Sequence, residues 1–220
     1  MPGAYESNNS DSTVPSAESA RPLVVGLLGG VASGKSLVAS QLQELGAGLL
    51  DADQAGHAAL RLPEVREAIR TRWGEKVFDA TGEVDRKAVA SIVFARTASA
   101  ADELRFLEGV THPAIGQILL RQLADLSADG KWVVVLDAPV MLKAGWDRMC
   151  DHILFVDAPR DVRLARAKSR GWSETDFDDR EAAQESLSAK RQRADTEIDN
   201  SQSASTTREQ VARWWAKMAN

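Results

Sequence analysis

The run Gly29-Gly30-Val31-Ala32-Ser33-Gly34-Lys35-Ser36 fits G-x-x-x-x-G-K-[ST] at every fixed position. Glycines at such a loop let backbone N–H groups turn inward around phosphate oxygens, and a helix starting just beyond adds the positive end of its dipole. In that chemistry Lys35 reaches the β- and γ-phosphates, and the Ser36 hydroxyl coordinates Mg²⁺. A glycine-rich turn that merely joins strand to helix would need neither Lys35 nor Ser36 at these offsets. The motif points to a nucleoside triphosphate.

Asp51-Ala52-Asp53 comes next in weight. At an extended strand end, residues i and i+2 point the same way, so both carboxylates would face one site. One could accept a proton from an attacking hydroxyl while the other orients a Mg²⁺-bound water. The plainer reading makes Asp53 the N-cap of a following helix. Asp137 ends a further apolar run, where an acidic residue either assists a metal or is simply a polar strand end. Arg163, Arg166 and Arg170 fall on one predicted helix, with Arg166 and Arg170 four apart on one face. Such a pair either clamps phosphates or forms a solvated basic face.

The elements that must position these groups are legible in outline. Leu23 to Leu28, Ala47 to Leu50, Trp132 to Leu136 and His152 to Val156 are short apolar runs, as buried parallel strands are. A further short strand is expected at Glu197-Ile198-Asp199. Helical spacing covers Lys35 to Leu45, Arg160 to Arg170 and Thr206 to Met218. Residues 54–130 carry no convincing strand, and Ile115, Leu119, Leu123 and Leu126 share one helical face. Thr111-His112-Pro113 has the form of a helix start, with Thr as cap and Pro in the first turn. Ser173 to Arg193 is polar and helix-prone with few anchors for a core. Strands alternating with helices predict an α/β fold with a parallel sheet covered on both faces.

Composition narrows the partners. The 220 residues hold 27 Lys and Arg against 32 Asp and Glu, a net charge of −5, which argues against a general nucleic-acid binder. One cysteine, Cys150, excludes an internal disulfide and a cysteine-based zinc site. No apolar run approaches the roughly 18 residues of a membrane span, so a soluble cytoplasmic protein without membrane or nucleic-acid partners is expected. Residues 1–20, rich in Ser, Asn, Pro and Ala, read as a disordered tail before a single domain over 21–220.

Among nucleotide-using classes, Asp53-Gln54-Ala55-Gly56 fits the D-x-x-G pattern of a GTPase switch. It follows Lys35 too soon for a first switch loop, however, and no Asn-Lys-x-Asp is present. A motor-type ATPase would want Asp-Glu where Asp137 is followed by Ala138 and Pro139. A small-molecule kinase accommodates both a helical insertion after the second strand and an arginine-bearing lid late in the chain.

At this point the chain resembles the dephospho-coenzyme A kinase family. The likeness rests on Leu28-Gly29-Gly30 through Ser36, Asp51-Ala52-Asp53, Val84-Asp85-Arg86, His112-Pro113 and Pro139-Val140-Met141. It continues through Arg166 with Arg170, Gln184, Lys190 and Ala194 to Asn200. The resemblance implies a P-loop kinase core with a five-stranded parallel sheet, a helical acceptor-binding region over about 54–130 and a lid over about 171–193. It implies Mg²⁺- and ATP-dependent phosphorylation of the ribose 3′-hydroxyl of dephospho-coenzyme A by a monomer or weak homo-oligomer. Another small-molecule or nucleotide P-loop kinase is the alternative. By position, Gly30, Ala32, Ser33, Gly34, Lys35, Ser36, Leu37 and Asn200 would bind ATP, with Lys35, Arg166 and Arg170 acting in transfer. Ser36 and Asp51 would hold the metal. Asp53 would be the base and, with His57, Arg86 and His112, would lie toward the acceptor. Two departures stand out: Leu37 replaces a usual Thr, and Lys143 replaces a usual Glu, which reverses a charge beside the expected site.

Overall fold

In the computed structural model, which describes residues 21–219, the apolar run at Leu23 forms β1 (Leu23–Gly29). It is followed by α1 (Lys35–Glu44), β2 (Gly48–Asp51), α2 (Ala52–Ala59), α3 (Pro63–Trp73), α4 (Arg86–Val93) and α5 (Ala100–Ala128). Then come β3 (Val133–Asp137), β4 (His152–Asp157), α6 (Arg160–Ser169), α7 (Glu174–Ala182), α8 (Leu187–Gln192), β5 (Thr196–Asp199) and α9 (Ala204–Met218). The expected tail over 1–20 lies outside the described residues.

The five strands form one parallel sheet in the order β2-β3-β1-β4-β5. Side chains alternate between its faces, which is why nearly every strand residue can be apolar. Leu28, Leu50, Leu136 and Phe155 pack on one face against Ala55 of α2 and Ile115 and Leu119 of α5. Leu27, Val135 and Leu154 pack on the other against Val38 and Leu42 of α1 and Val211 and Trp214 of α9. A second, all-helical core joins α3, α4 and α5 through Val65, Ile69, Trp73, Val89 and Val93. Register sets Asp137 beside both Leu27 and Asp51, so β1, β2 and β3 end together at one edge. That edge is where ligands of open α/β sheets bind.

Two expectations are corrected. Thr111-His112-Pro113 starts no helix: α5 runs unbroken from Ala100 to Ala128 with Pro113 inside it. The Thr111 hydroxyl donates back to the Leu107 carbonyl at 2.8 Å, an in-helix bond rather than a cap. Asp51 and Asp53 do not share an extended strand end, because the strand stops at Asp51 and α2 begins at Ala52. The 173–193 segment has few apolar anchors, as expected, and the one that is fully buried is Phe177 of α7, against Val31 and Ala167. Burying a phenylalanine is worth about 2 kcal/mol, enough to hold a short polar helix pair in place.

Candidate active site

The phosphate loop bridges β1 and α1, and close packing explains two of its glycines. A side chain on Gly34, whose φ is 101°, would put Cβ 2.0 Å from the Asn200 amide nitrogen. One on Gly30 would meet the Arg163 guanidinium at 2.8 Å. Ala32 takes a left-handed φ of 57° at the apex, a conformation that turns successive N–H groups to one side. The Ser33 hydroxyl is buried in the loop with no protein hydrogen-bond partner.

The loop is braced from behind. Asn200, 2% exposed, donates its side-chain amide to the Ser33 carbonyl at 2.7 Å and accepts from the Thr207 hydroxyl at 2.8 Å. Arg166 donates to the Ser33 and Asn200 carbonyls at 3.1 and 2.7 Å. Asn200 thus has both ends of its side chain on protein groups and braces the loop. Arg166 is likewise fixed to the loop. Arg170, its expected partner, is the exposed C-cap of α6. The second arginine on the loop is Arg163, 3% exposed, which donates to the Val31 carbonyl and pairs with Glu181 of α7. Arg163 and Arg166, spaced i, i+3, are the α6 arginines on the loop carbonyls.

Asp51 accepts from the Gln54 N–H at 2.8 Å and is therefore the N-cap of α2. The role the sequence offered to Asp53 falls to its neighbour. The carboxylate within electrostatic reach of Lys35 is Asp137. Burial lowers the Lys35 pKa, and Asp137 partly offsets this. Burial likewise raises the Asp137 pKa; Lys35 pulls it down and Asp53 pushes it up. Asp137 thus feels both Lys35 of the loop and Asp53, which lines the next cleft. Asp137 could be suspected from its place at a strand end, but only the sheet register sets it beside Leu27 of β1 and Asp51 of β2.

That cleft, of about 570 Å³, is lined by Asp53, His57, Arg86 and His112 together. Four residues that the sequence connects only through the resemblance converge because α2, α4 and α5 meet there. Asp53, Gly56, His57 and Leu60 line it from one face of α2. Trp146 closes the floor edge-on to His112, with ring centroids 5.6 Å apart. Among the described residues, no three His, Cys, Asp or Glu side chains converge as a metal cluster. One hydroxyl, Ser36, and the carboxylates beside Lys35 suit an ion held mainly through substrate phosphates and water, as Mg²⁺ is.

Lys143 donates to Glu108 at 2.5 Å, and both act on His112. Burial lowers the His112 pKa first; Glu108 raises it and Lys143 lowers it. Lys143→Glu removes the cation and adds a second anion, so the His112 pKa should rise, which a histidine NMR titration reads directly. Burial holds the folded His112 pKa below its unfolded value, about 6.5, so protonation opposes folding as pH falls through that range, and raising the folded value relieves this penalty at low pH only. The substitution should accordingly lower the melting temperature more at pH 8 than at pH 6. An unmoved His112 titration would show that the pair does not govern this wall.

Comparison with known proteins identifies the family. The family model for dephospho-CoA kinase matches residues 23–206. A dephospho-CoA kinase of Symbiobacterium thermophilum is 40% identical over 195 residues, covering 87% of this chain and 80% of the relative. One from Geobacillus kaustophilus is 35% identical over 191 residues, covering 86% and 93%. A Thermus thermophilus crystal structure superposes with a TM-score of 0.74 at 30% identity, over 90% of this chain and 98% of that one. A dephospho-CoA kinase structure from Campylobacter jejuni, 21% identical, shares the fold at a TM-score of 0.60 over 90% and 98%. Matched by the family model over residues 23–206 and by these relatives over most of its length, the chain belongs to the dephospho-CoA kinase family.

Proposed function

We propose that this protein transfers the terminal phosphoryl group of ATP to the ribose 3′-hydroxyl of dephospho-coenzyme A, giving coenzyme A and ADP. The observation that carries the reading is a nucleotide phosphate loop with a separate, partly apolar cleft lined by Asp53, the two linked by Asp137, which feels the charges of both Lys35 and Asp53. The loop N–H groups and Lys35 hold the β- and γ-phosphates. Asp53 orients the acceptor hydroxyl and takes its proton as transfer proceeds. Arg163 and Arg166 fix the loop so that these donors need not reorganise. Mg²⁺ bound with the triphosphate, through Ser36 and an acidic neighbour, would supply further neutralisation of phosphate charge. Among the described residues no helix is long and apolar enough to cross a membrane, which fits action in the cytoplasm.

The cleft suits a ligand with both an aromatic part and phosphates. Arg86 and His112 offer donors, while Phe94 on its rim is 72% exposed. A base stacked on an aromatic ring gains about 1–3 kcal/mol. Phe94→Ala should therefore raise KM for dephospho-coenzyme A by about tenfold. The melting temperature should hold, because so exposed a ring adds little to the core. An unchanged KM would put the acceptor's base elsewhere. The reading as a whole is tested by ADP release with dephospho-coenzyme A set against adenosine, AMP and shikimate. Turnover with dephospho-coenzyme A alone supports it; turnover only with another acceptor favours a different small-molecule kinase on the same loop.

A further inference from the structure

Lys190 of α8 is 2% exposed, yet its ammonium has only neutral partners. It donates to the Gln184 side-chain carbonyl at 2.6 Å and to the Gly29 backbone carbonyl at 3.3 Å. Among the described residues no carboxylate lies within 4.0 Å of it. Glu181, a neighbour on α7, is taken by Arg163. Glu185 and Glu181 attract it from a distance, whereas Lys35 and Arg163 repel it, and burial pushes its pKa down to about 8. A desolvated cation beside a second cation is costly unless an anion joins them. The fold keeps this arrangement at the mouth of a phosphate loop.

The position names the anion. Gly29 opens the loop, and Lys190 lines a small cleft with Gly30, Val31, Gln184 and Leu187. The later half of such a loop, where α1 starts, cradles the α- and β-phosphates, and its lysine reaches toward the β- and γ-phosphates. The opening half, nearest Lys190, is left for the terminal phosphate. We propose that Lys190 is a second phosphate-binding residue, carried by the α7–α8 lid, which takes the terminal phosphate of the nucleoside triphosphate on the side opposite Lys35. On binding, it exchanges Gln184 for a phosphate oxygen. Lys35 and Lys190 then flank the transferred group and neutralise the charge spread over its oxygens. Because one of the two cations is on the lid, the charge arrangement is complete only when α8 is docked on β1. The inference rests on the ATP-dependent reading above and extends it.

Lys190→Met keeps the length and burial of the side chain and removes its charge. The affinity for a non-hydrolysable ATP analogue should fall at least about tenfold, as loss of a charge-assisted hydrogen bond predicts, while affinity for ADP stays within about threefold. Turnover should fall at least about a hundredfold, with KM for the acceptor unchanged. Equal weakening of analogue and ADP, or no weakening of either, would overturn the proposal and leave Lys190 a docking residue for α8. Gln184→Glu, at a half-exposed and isosteric position, gives a second arm that does not depend on tolerance at Lys190. It supplies a competing carboxylate, so the analogue-to-ADP affinity ratio should drop while the melting temperature without nucleotide rises; an unchanged ratio argues against Lys190. If the wild-type protein shows this nucleotide dependence but does not phosphorylate dephospho-coenzyme A, the proposed acceptor falls and the Lys190 assignment stands.

Discussion

Lys35→Met should leave a folded protein whose ATP-dependent turnover is reduced at least about a thousandfold, since both positioning and charge neutralisation pass through this side chain. The expectation of an intact fold has a specific basis. Lys35 is half-buried, its pKa is lowered by burial, and among the described residues no carboxylate lies within ion-pair distance of it. Removing a cation that pays a desolvation cost, and is only partly offset by Asp137, takes little from stability. Methionine preserves the aliphatic stem against its surroundings. The melting temperature should therefore stay level or rise at pH 7 while nucleotide binding weakens. One compensation works against this: without Lys35 nothing pulls the Asp137 pKa down, so burial and Asp53 push it further up. A folded Lys35→Met protein with near-normal activity would remove the phosphate loop from the mechanism. A parallel loss of melting temperature and activity would make Lys35 a structural residue.

What the sequence could convey, and what it could not, divides along a physical line. The strands were legible because a sheet buried on both faces needs continuous apolar runs, and the phosphate loop because its glycines and Lys35 are required at fixed offsets. Local rules were ambiguous wherever two neighbours could serve one need. Asp51 and Asp53 are both adequate caps, and the structure uses Asp51. Thr-His-Pro is an adequate helix start, yet α5 runs through it, with Leu107 and Val110 packed on the helical core before it and Ile115 to Leu123 packed on the sheet after it. Pairings across elements were beyond sequence periodicity. Arg163 reads as one more charge on a basic helix until the buried Glu181 contact appears, and Lys190 reads as a solvated lysine in a polar segment. Asp137 gains meaning only from register with Asp51 and Leu27. The convergence of His57, Arg86 and His112 depends on the meeting of three helices, which no local pattern announces.

Asp53→Asn should lower kcat by at least about a hundredfold and leave ATP affinity within about threefold, because a positioned base contributes roughly 10² to 10⁴ and acts only on the acceptor side. The competitor for the role is Asp137, whose buried carboxyl has a raised pKa and so would hold a proton more readily. Geometry separates the two. Asp53 lines the cleft beside His57, whereas Asp137 is not among its lining residues and interacts with Lys35 of the phosphate loop. A ribose hydroxyl in that cleft meets Asp53 first. The loose transition state of phosphoryl transfer lets proton removal come late, which places the expected loss toward the lower end of the range. Electrostatics adds a second readout. Asp53 raises the Asp137 pKa, so its neutralisation should shift the acid limb of the pH–rate profile downward wherever Asp137 governs that limb. Asp137→Asn should behave differently: it removes the anion that supports the Lys35 charge, so nucleotide affinity should fall along with turnover. Asp51→Asn should be nearly silent in stability, since asparagine caps a helix about as well as aspartate, which isolates any change in Mg²⁺ requirement as a metal effect. If Asp53→Asn retains wild-type kcat while Asp137→Asn loses it at saturating ATP, the proton goes to Asp137, and Asp53 serves only to set its neighbour's pKa.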